Sequence, residues 1–218
     1  EKRPAMRNAI ADLGEVLVVG LVSKTVMPVR VPSQQVFSHK VGVFATDSYA
    51  MQAILSSGIH WLWAVKYGST LETRVNYSPS DVFETFPIPP LTEALEAAGR
   101  ELDAVRRDIM RRLGLGITKL YNLVNDPTVN DLDAVTLRNI HVQVEEIVLT
   151  AFGWADIDLD YGFHTYRRME RWLLGPSAQT EVLDRLLEEN RRRSWGRGGQ
   201  PPAAKDSAAQ QASGTLYE

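Results

Sequence analysis

The residues able to carry chemistry in this chain are few and scattered. Its four histidines, His39, His60, His141 and His164, include no pair three or four residues apart, the spacing by which one helix face holds a metal. The acidic stretch Asp156-Ile157-Asp158-Leu159-Asp160 offers carboxylates to a divalent cation, but the alternation with Ile and Leu is that of a strand edge or turn with solvated acids. There is no cysteine, which excludes disulfides, zinc–thiolate sites and thiol catalysis. Gly114-Leu115-Gly116 and the glycines between Gly196 and Gly199 lack the strand–turn–helix setting and the lysine of a phosphate loop, and read as a helix stop and a linker. No serine stands in a nucleophile-elbow context. What remains is binding. Lys24, Arg30, Lys40, Lys66 and Arg74, with Asn76, fall near expected loops, element ends or the polar side of strands. Long cations meet phosphates, and Arg and Asn offer paired hydrogen bonds to guanine or adenine edges, so these residues are the candidates for contact with double-stranded DNA. Solubilising surface charge is the plainer reading of the same residues. The net charge of -3 rules out a basic nucleic-acid coat, but the chain is near neutral as far as Pro90 and carries its acidity between Leu91 and Thr165.

The elements that must position these residues fall into three stretches, 1–89, 90–193 and 194–218. In the first, Glu15–Ser23 and Gln35–Thr46 are Val- and Phe-rich runs bounded by Gly, Pro or Asp, and read as strands. Asp47 is placed to cap a helix with Ala50, Met51, Ile54 and Leu55 inward, and the apolar Ile59–Tyr67 predicts a buried helix continuing past Gly58. Leu71–Tyr77 alternates as a half-buried strand, and Ser78-Pro79-Ser80-Asp81 is a helix start. Phe86-Pro87-Ile88-Pro89-Pro90 cannot continue a helix or a central strand and marks the boundary. Beyond it, apolar stripes predict a long helix from Leu91 to Leu113, a second from about Asp131 ending at Phe152-Gly153-Trp154, and a third from Pro176 to about Arg192. Arg106, Arg107, Arg111 and Arg112 interleave with Asp103 and Asp108 as a salt-bridged, solvated face. The fold class expected is α+β: a small mixed strand and helix unit, then an all-α bundle and a disordered tail rich in Gly, Pro, Ala, Ser and Gln. The longest apolar run, Val16–Val22, is too short to cross a bilayer, so no membrane partner and a cytoplasmic location are expected. A first residue Glu1 and a first methionine at Met6 suggest a piece of a longer polypeptide.

Residues 41–89, GVFATDSYAMQAILSSGIHWLWAVKYGSTLETRVNYSPSDVFETFPIP after the leading valine, carry a resemblance. Ser56, Ser57, His60 and Trp63, then Asn76-Tyr77-Ser78, then Phe86-Pro87-Ile88-Pro89 resemble the end of the target-recognition domain in large DNA adenine-N6 methyltransferases of the MmeI-like type IIL/IIG restriction-modification group and their relatives in BREX and DISARM phage defence. The segments LGLGITKLYNLVNDP (113–127), Leu137–His141, Ala151–Asp156 and VLDRLLEEN (182–190) are similar to the helical C-terminal region of the same proteins. Together the similar segments cover most of residues 34–193.

The resemblance implies a parent enzyme that transfers a methyl group from S-adenosylmethionine to the N6 of a flipped adenine in duplex DNA. That chemistry needs a glycine-rich cofactor motif and an Asn/Asp-Pro-Pro-aromatic motif, and this chain has neither: its Pro-Pro pairs lie in Ile88-Pro89-Pro90-Leu91 and Gln200-Pro201-Pro202-Ala203. The catalytic domain is therefore expected upstream in the same polypeptide, with this segment recognising DNA and supporting it without catalysis of its own. Trp61, Trp63 and His60 are expected in the core, and Phe83 and Phe86 where the two halves pack. Where the family suggests Arg before Tyr77, this chain has Asn76. The rival reading is a helical protein-interaction module without DNA contact. Salt dependence of binding separates the two.

Overall fold

A computed structural model describes residues 4–71 and 74–196. After the short helix α1 (Pro4–Ala9), the Val-rich run becomes β1 (Glu15–Gly20), the centre of an antiparallel sheet in the order β3-β1-β4, with β3 at Val29–Pro32 and β4 at Val41–Phe44. Leu17 faces both Arg30 and Phe44 across the ladder, which places the centre of β1 between two partners and buries Val16, Leu17 and Val19. The chain then passes to a second small sheet, β2-β6-β5, made of β2 (Val22–Ser23), β5 (Ser69–Leu71) and β6 (Arg74–Asn76). Leu21 couples the sheets, donating its N–H to Lys40 O at 2.9 Å and accepting from Tyr77 N at 2.7 Å. The strand expected over Gln35–Thr46 is confined to Val41–Phe44, and the one expected over Leu71–Tyr77 is β6 with its partner β5.

Between the sheets lie α2 (Tyr49–Ser56) and α3 (Gly58–Tyr67). The cap of α2 is Ser48, whose hydroxyl accepts from Met51 N at 3.1 Å, rather than Asp47. The apolar run breaks at Ser57, which sits in extended conformation and accepts from His60 N at 3.2 Å, so two helices stand where one was expected. The N-terminus of α3 is closed by a carboxylate from another helix: Glu145 accepts from Gly58 N and Ile59 N, both at 2.7 Å. Trp61, Trp63 and His60 are buried as expected.

A five-residue helical turn, Pro79–Phe83, follows Ser78, whose hydroxyl accepts from Asp81 N. The proline connector carries no regular secondary structure, with Pro87 and Pro89 buried, and side chains from both sides of it belong to one hydrophobic core. Phe86 meets both halves edge-on, Trp63 at 6.1 Å and Phe152 at 6.4 Å. Phe83 packs instead within the first half, against Phe44 at 4.8 Å.

Helix α4 (Glu93–Leu113) starts at a Thr92 cap and stops at Gly114 in the left-handed conformation. Helix α6 (Leu132–Phe152) starts at Asp131 and stops at Gly153, also left-handed, as its sequence predicts. Helix α5 (Ile117–Val124) lies between them, and α7 runs from Pro176 to Gly196. Two expectations fail here. The second half is not all-α: β7 (Gly162–Tyr166) and β8 (Met169–Leu173) form an antiparallel hairpin. Its inward row, Met169, Arg171 and Leu173, has an arginine at the centre, which breaks the apolar alternation by which a strand is read. The third helix outruns Arg192 and takes in residues 194–196; the rest of the expected tail, 197–218, lies outside the described residues. The class is α+β, and among the described residues no helix is long and apolar enough to cross a membrane.

Candidate nucleic-acid interface

The sheet β2-β6-β5 presents a polar outer face because β6 alternates: Arg74 and Asn76 are exposed, Val75 and Tyr77 buried. Val22, Asn76 and Ser69 share one register row, and Asn76 Nδ2 donates to Ser69 Oγ at 3.1 Å, which orients the amide across the strands. Beneath it, Tyr77 is held by His60. The neutral imidazole donates Nδ1–H to Leu55 O at 2.9 Å and accepts at Nε2 from the Tyr77 hydroxyl at 3.1 Å. Burial lowers the His60 pKa to about 4 and raises that of Tyr77, so both are neutral and rigidly paired.

Lys24, Lys40, Lys66, Arg74 and Asn76 are exposed. Lys24 directly follows β2, one residue beyond the Ser23↔Val75 pair. Lys40 O bonds the Leu21 backbone at the seam with the first sheet, and Lys66 ends α3 just before β5. Five of the six candidates thus lie on or around one small sheet. Arg30 does not belong with them. It is 4% exposed, donates Nε–H to Gln52 Oε1 at 3.1 Å and Nη1–H to Asp47 O at 2.7 Å, and lies 3.8 Å over the Tyr49 ring. A guanidinium so enclosed cannot reach a phosphate; it braces the sheet against α2.

The network continues into α4, where Gln52 Nε2 donates to Asp103 Oδ1 at 2.7 Å and Arg107 bridges Asp103 and Glu15. The basic face of α4 is therefore divided. Arg107 and Arg112 make the expected pairs with Asp103 and Asp108, but Asp103 and Arg106 are buried, not solvated. Gln52 and Glu145 were not singled out by sequence, and Asp103 only as part of a solvated face, since nothing local marks a polar residue whose partner is tens of residues away.

Beside Lys24 an open groove is lined by Thr25, Asn122, Asn125, Arg168 and Glu170. Asp156 lies apart, in a bidentate pair with Arg185 at 2.7 and 2.8 Å that holds its carboxyl at about 2. What the outer face can do chemically is hydrogen-bond and neutralise phosphates; its residues are not arranged around a nucleophile.

Residues 19–90 match the family model described as the MmeI target recognition domain. A solved structure of the type IIL restriction-modification enzyme MmeI in complex with DNA is similar in fold, with a TM-score of 0.58 and 18% identity over 84% of this chain and 22% of that one. The chain thus spans about a fifth of that enzyme's length. No curated protein matches by sequence. Residues 19–90 are an MmeI-like target-recognition segment, set in a chain that shares most of its fold with part of that enzyme.

Proposed function

We propose that this chain is the DNA-recognition and helical-support segment of a site-specific, S-adenosylmethionine-dependent DNA adenine-N6 methyltransferase of the restriction-modification or phage-defence kind. The observation that carries the reading is the exposed Arg74 and Asn76 on a small sheet, with the exposed Lys24 just beyond its β2 strand, all inside the matched residues 19–90. Lys24, Lys66 and Arg74 would hold phosphates and fix register, while Asn76 would address base edges. Such an enzyme works on cytoplasmic DNA.

S-adenosylmethionine would bind outside the described residues. Gly114 closes α4, Gly116 opens α5, and neither follows a strand as a cofactor loop must. Methyl transfer is therefore assigned to a catalytic domain upstream in the same polypeptide, against which this segment positions DNA. The alternative of a helical docking module is less well supported, because the apolar stripes of α4 and α6, from Leu95 to Ile109 and from Leu137 to Val148, are already buried in the chain's own core.

The test is site-specific methylation by the full-length protein carrying Lys66→Ala or Arg74→Ala. Each should reduce methylation of its target and lower the salt slope of duplex binding by about 1. Unchanged methylation and an unchanged slope in both would refute the site, and methyl transfer by residues 1–218 alone would refute the upstream assignment.

A further inference from the structure

The β7–β8 hairpin lies beyond the matched residues 19–90, yet it is fastened to the recognition face. Arg171 Nη1 donates to Lys24 O at 2.7 Å, and Arg167 Nη1 donates to Val65 O at 2.7 Å, next to Lys66. Those two bonds set the hairpin's tip between the end of β2 and the end of α3. Tyr166↔Met169 is the last cross-strand pair, so Arg167 and Arg168 are the whole of a two-residue turn, with φ of 46° and 66°.

Two left-handed residues in succession match the right-handed twist of a hairpin, and Asn-Gly or Asp-Gly is what such a turn ordinarily holds. Arginine carries a Cβ that the left-handed conformation crowds, so its presence at both positions works against the fold. Arg167 has a structural use in its bond to Val65. Arg168 has none among the described residues: it is exposed, its side chain makes no hydrogen bond or ion pair there, and it lines the open groove beside Lys24. The acid on that groove is Glu170, on the following strand.

We infer that Arg168, presented by the strained tip of the β7–β8 hairpin, is a DNA phosphate contact that extends the recognition surface beyond residue 90, with Lys24 and Lys66 flanking it. This rests on the DNA-recognition reading above. The bonds of Arg167 to Val65 and of Arg171 to Lys24 fix the backbone of the turn before DNA arrives, so only the Arg168 side chain loses freedom on contact. The exposed Asn122 on the groove wall adds a neutral donor that a phosphate or sugar would accept. The contact reads no sequence; it fixes how the duplex lies across the β2-β6-β5 face.

The test measures binding of the full-length protein to a pool of random-sequence DNA duplexes as a function of salt, for wild type, Arg168→Gly, Arg168→Asn and Arg168→Lys. Gly and Asn both suit the left-handed position, so neither variant depends on a strained fold. Loss of one phosphate contact lowers the log–log salt slope by about 0.9, which is about 8-fold in affinity at 0.1 M salt relative to 1 M. Arg168→Gly and Arg168→Asn should show that loss while melting at or above the wild-type temperature, and Arg168→Lys should keep the slope. An unchanged slope in both Gly and Asn variants, with Arg74→Ala still lowering it, overturns the hairpin contact and leaves the recognition reading standing. Wild-type binding that is insensitive to salt overturns both.

Discussion

Gly99→Ala tests whether the recognition half and the helical half are one packed body. Gly99 lies in the middle of α4, where glycine costs about 1 kcal/mol relative to alanine, so propensity alone predicts that the substitution stabilises. The structure predicts the reverse. A Cβ on Gly99 would stand 1.9 Å from Tyr49 O and 2.6 Å from Tyr49 C, backbone atoms of the first residue of α2. Neither can rotate away, and the two helices would have to separate by about 1.5 Å to restore ordinary contact. The same crossing holds the Glu96 carboxylate against Ala50 N at 2.8 Å and Gln52 Nε2 against Asp103 Oδ1 at 2.7 Å, and that separation would stretch both. Overpacking costs roughly 1–3 kcal/mol and weakened charged hydrogen bonds roughly 1.5–3, so after the propensity gain the net loss is about 1.5–5 kcal/mol. For a chain of this size that lowers Tm by roughly 5–15 °C. Urea unfolding should show a lower midpoint at unchanged m, while Gly14→Ala, whose Cβ would meet nothing within 4 Å, should be neutral or slightly stabilising. A Gly99→Ala protein as stable as wild type would refute the close crossing and the shared core built on it.

The buried histidines predict an acid limb in the stability curve. His60 is lowered to about 4 and His141 to about 3 by burial, both below their unfolded value of 6.5, so each contributes stability that is present above pH 6.5 and lost as pH falls toward the folded pKa. Glu145 runs the other way. Burial, partly offset by the amides of Gly58 and Ile59, raises it from 4.5 to about 7, and its contribution is present below pH 4.5 and lost as pH rises through 7. Between pH 4.5 and 6.5 two histidines oppose one glutamate, and stability should fall by about 1.4 kcal/mol per unit of acidification from these groups. His60→Gln should flatten that limb in urea titrations across pH, and a His60 imidazole titrating near 6.5 by NMR would contradict it. Arg30→Ala removes a buried cation and leaves Gln52 Oε1 and Asp47 O without their donor; unfolding should show a loss of about 2–4 kcal/mol, with the salt slope of DNA binding unchanged. A lowered slope in a protein of unchanged stability would return Arg30 to the interface.

Local chemistry made much of this fold legible. Gly114, Asp131 and Gly153 cap long amphipathic helices by rules that act within four residues, and Trp61 and Trp63 announce a core by size and neighbours. The hairpin was not legible, because its turn holds Arg-Arg where Asn-Gly is the signal and its inward row holds Arg171. Arg171 is tolerated there because its guanidinium lies 4.7 Å over the Trp61 ring and donates to Lys24 O, partners supplied by distant parts of the chain. Arg30 misled for the same reason. Its sequence neighbourhood is that of a strand edge, and only the approach of Gln52, Asp47 and Tyr49 encloses it. The candidate site was readable as residue types and unreadable as a surface: nothing local brings the end of β2 and Lys24 beside β6, which depends on β2 pairing with β6 across more than fifty residues.

That pairing also bears on how such a segment tolerates change. Strand β6 alternates Arg74 and Asn76 outward with Val75 and Tyr77 inward, and the inward residues lock to His60 and the core. Outward substitutions remove no buried contact, and exposed replacements of this kind change stability by about 0.5 kcal/mol or less. Inward ones open cavities or strand the His60 nitrogen, at several times that cost. The period of two therefore separates the residues that can address DNA from those that hold the face in place, so contacts can be exchanged on the outer row without refolding the sheet. The same separation does not extend to the hairpin tip, where the outward Arg168 sits in a conformation its own side chain disfavours. Replacing it by glycine relieves that crowding, so a gain in stability accompanied by a loss of DNA affinity is the signature that distinguishes a residue kept for contact from one kept for the fold.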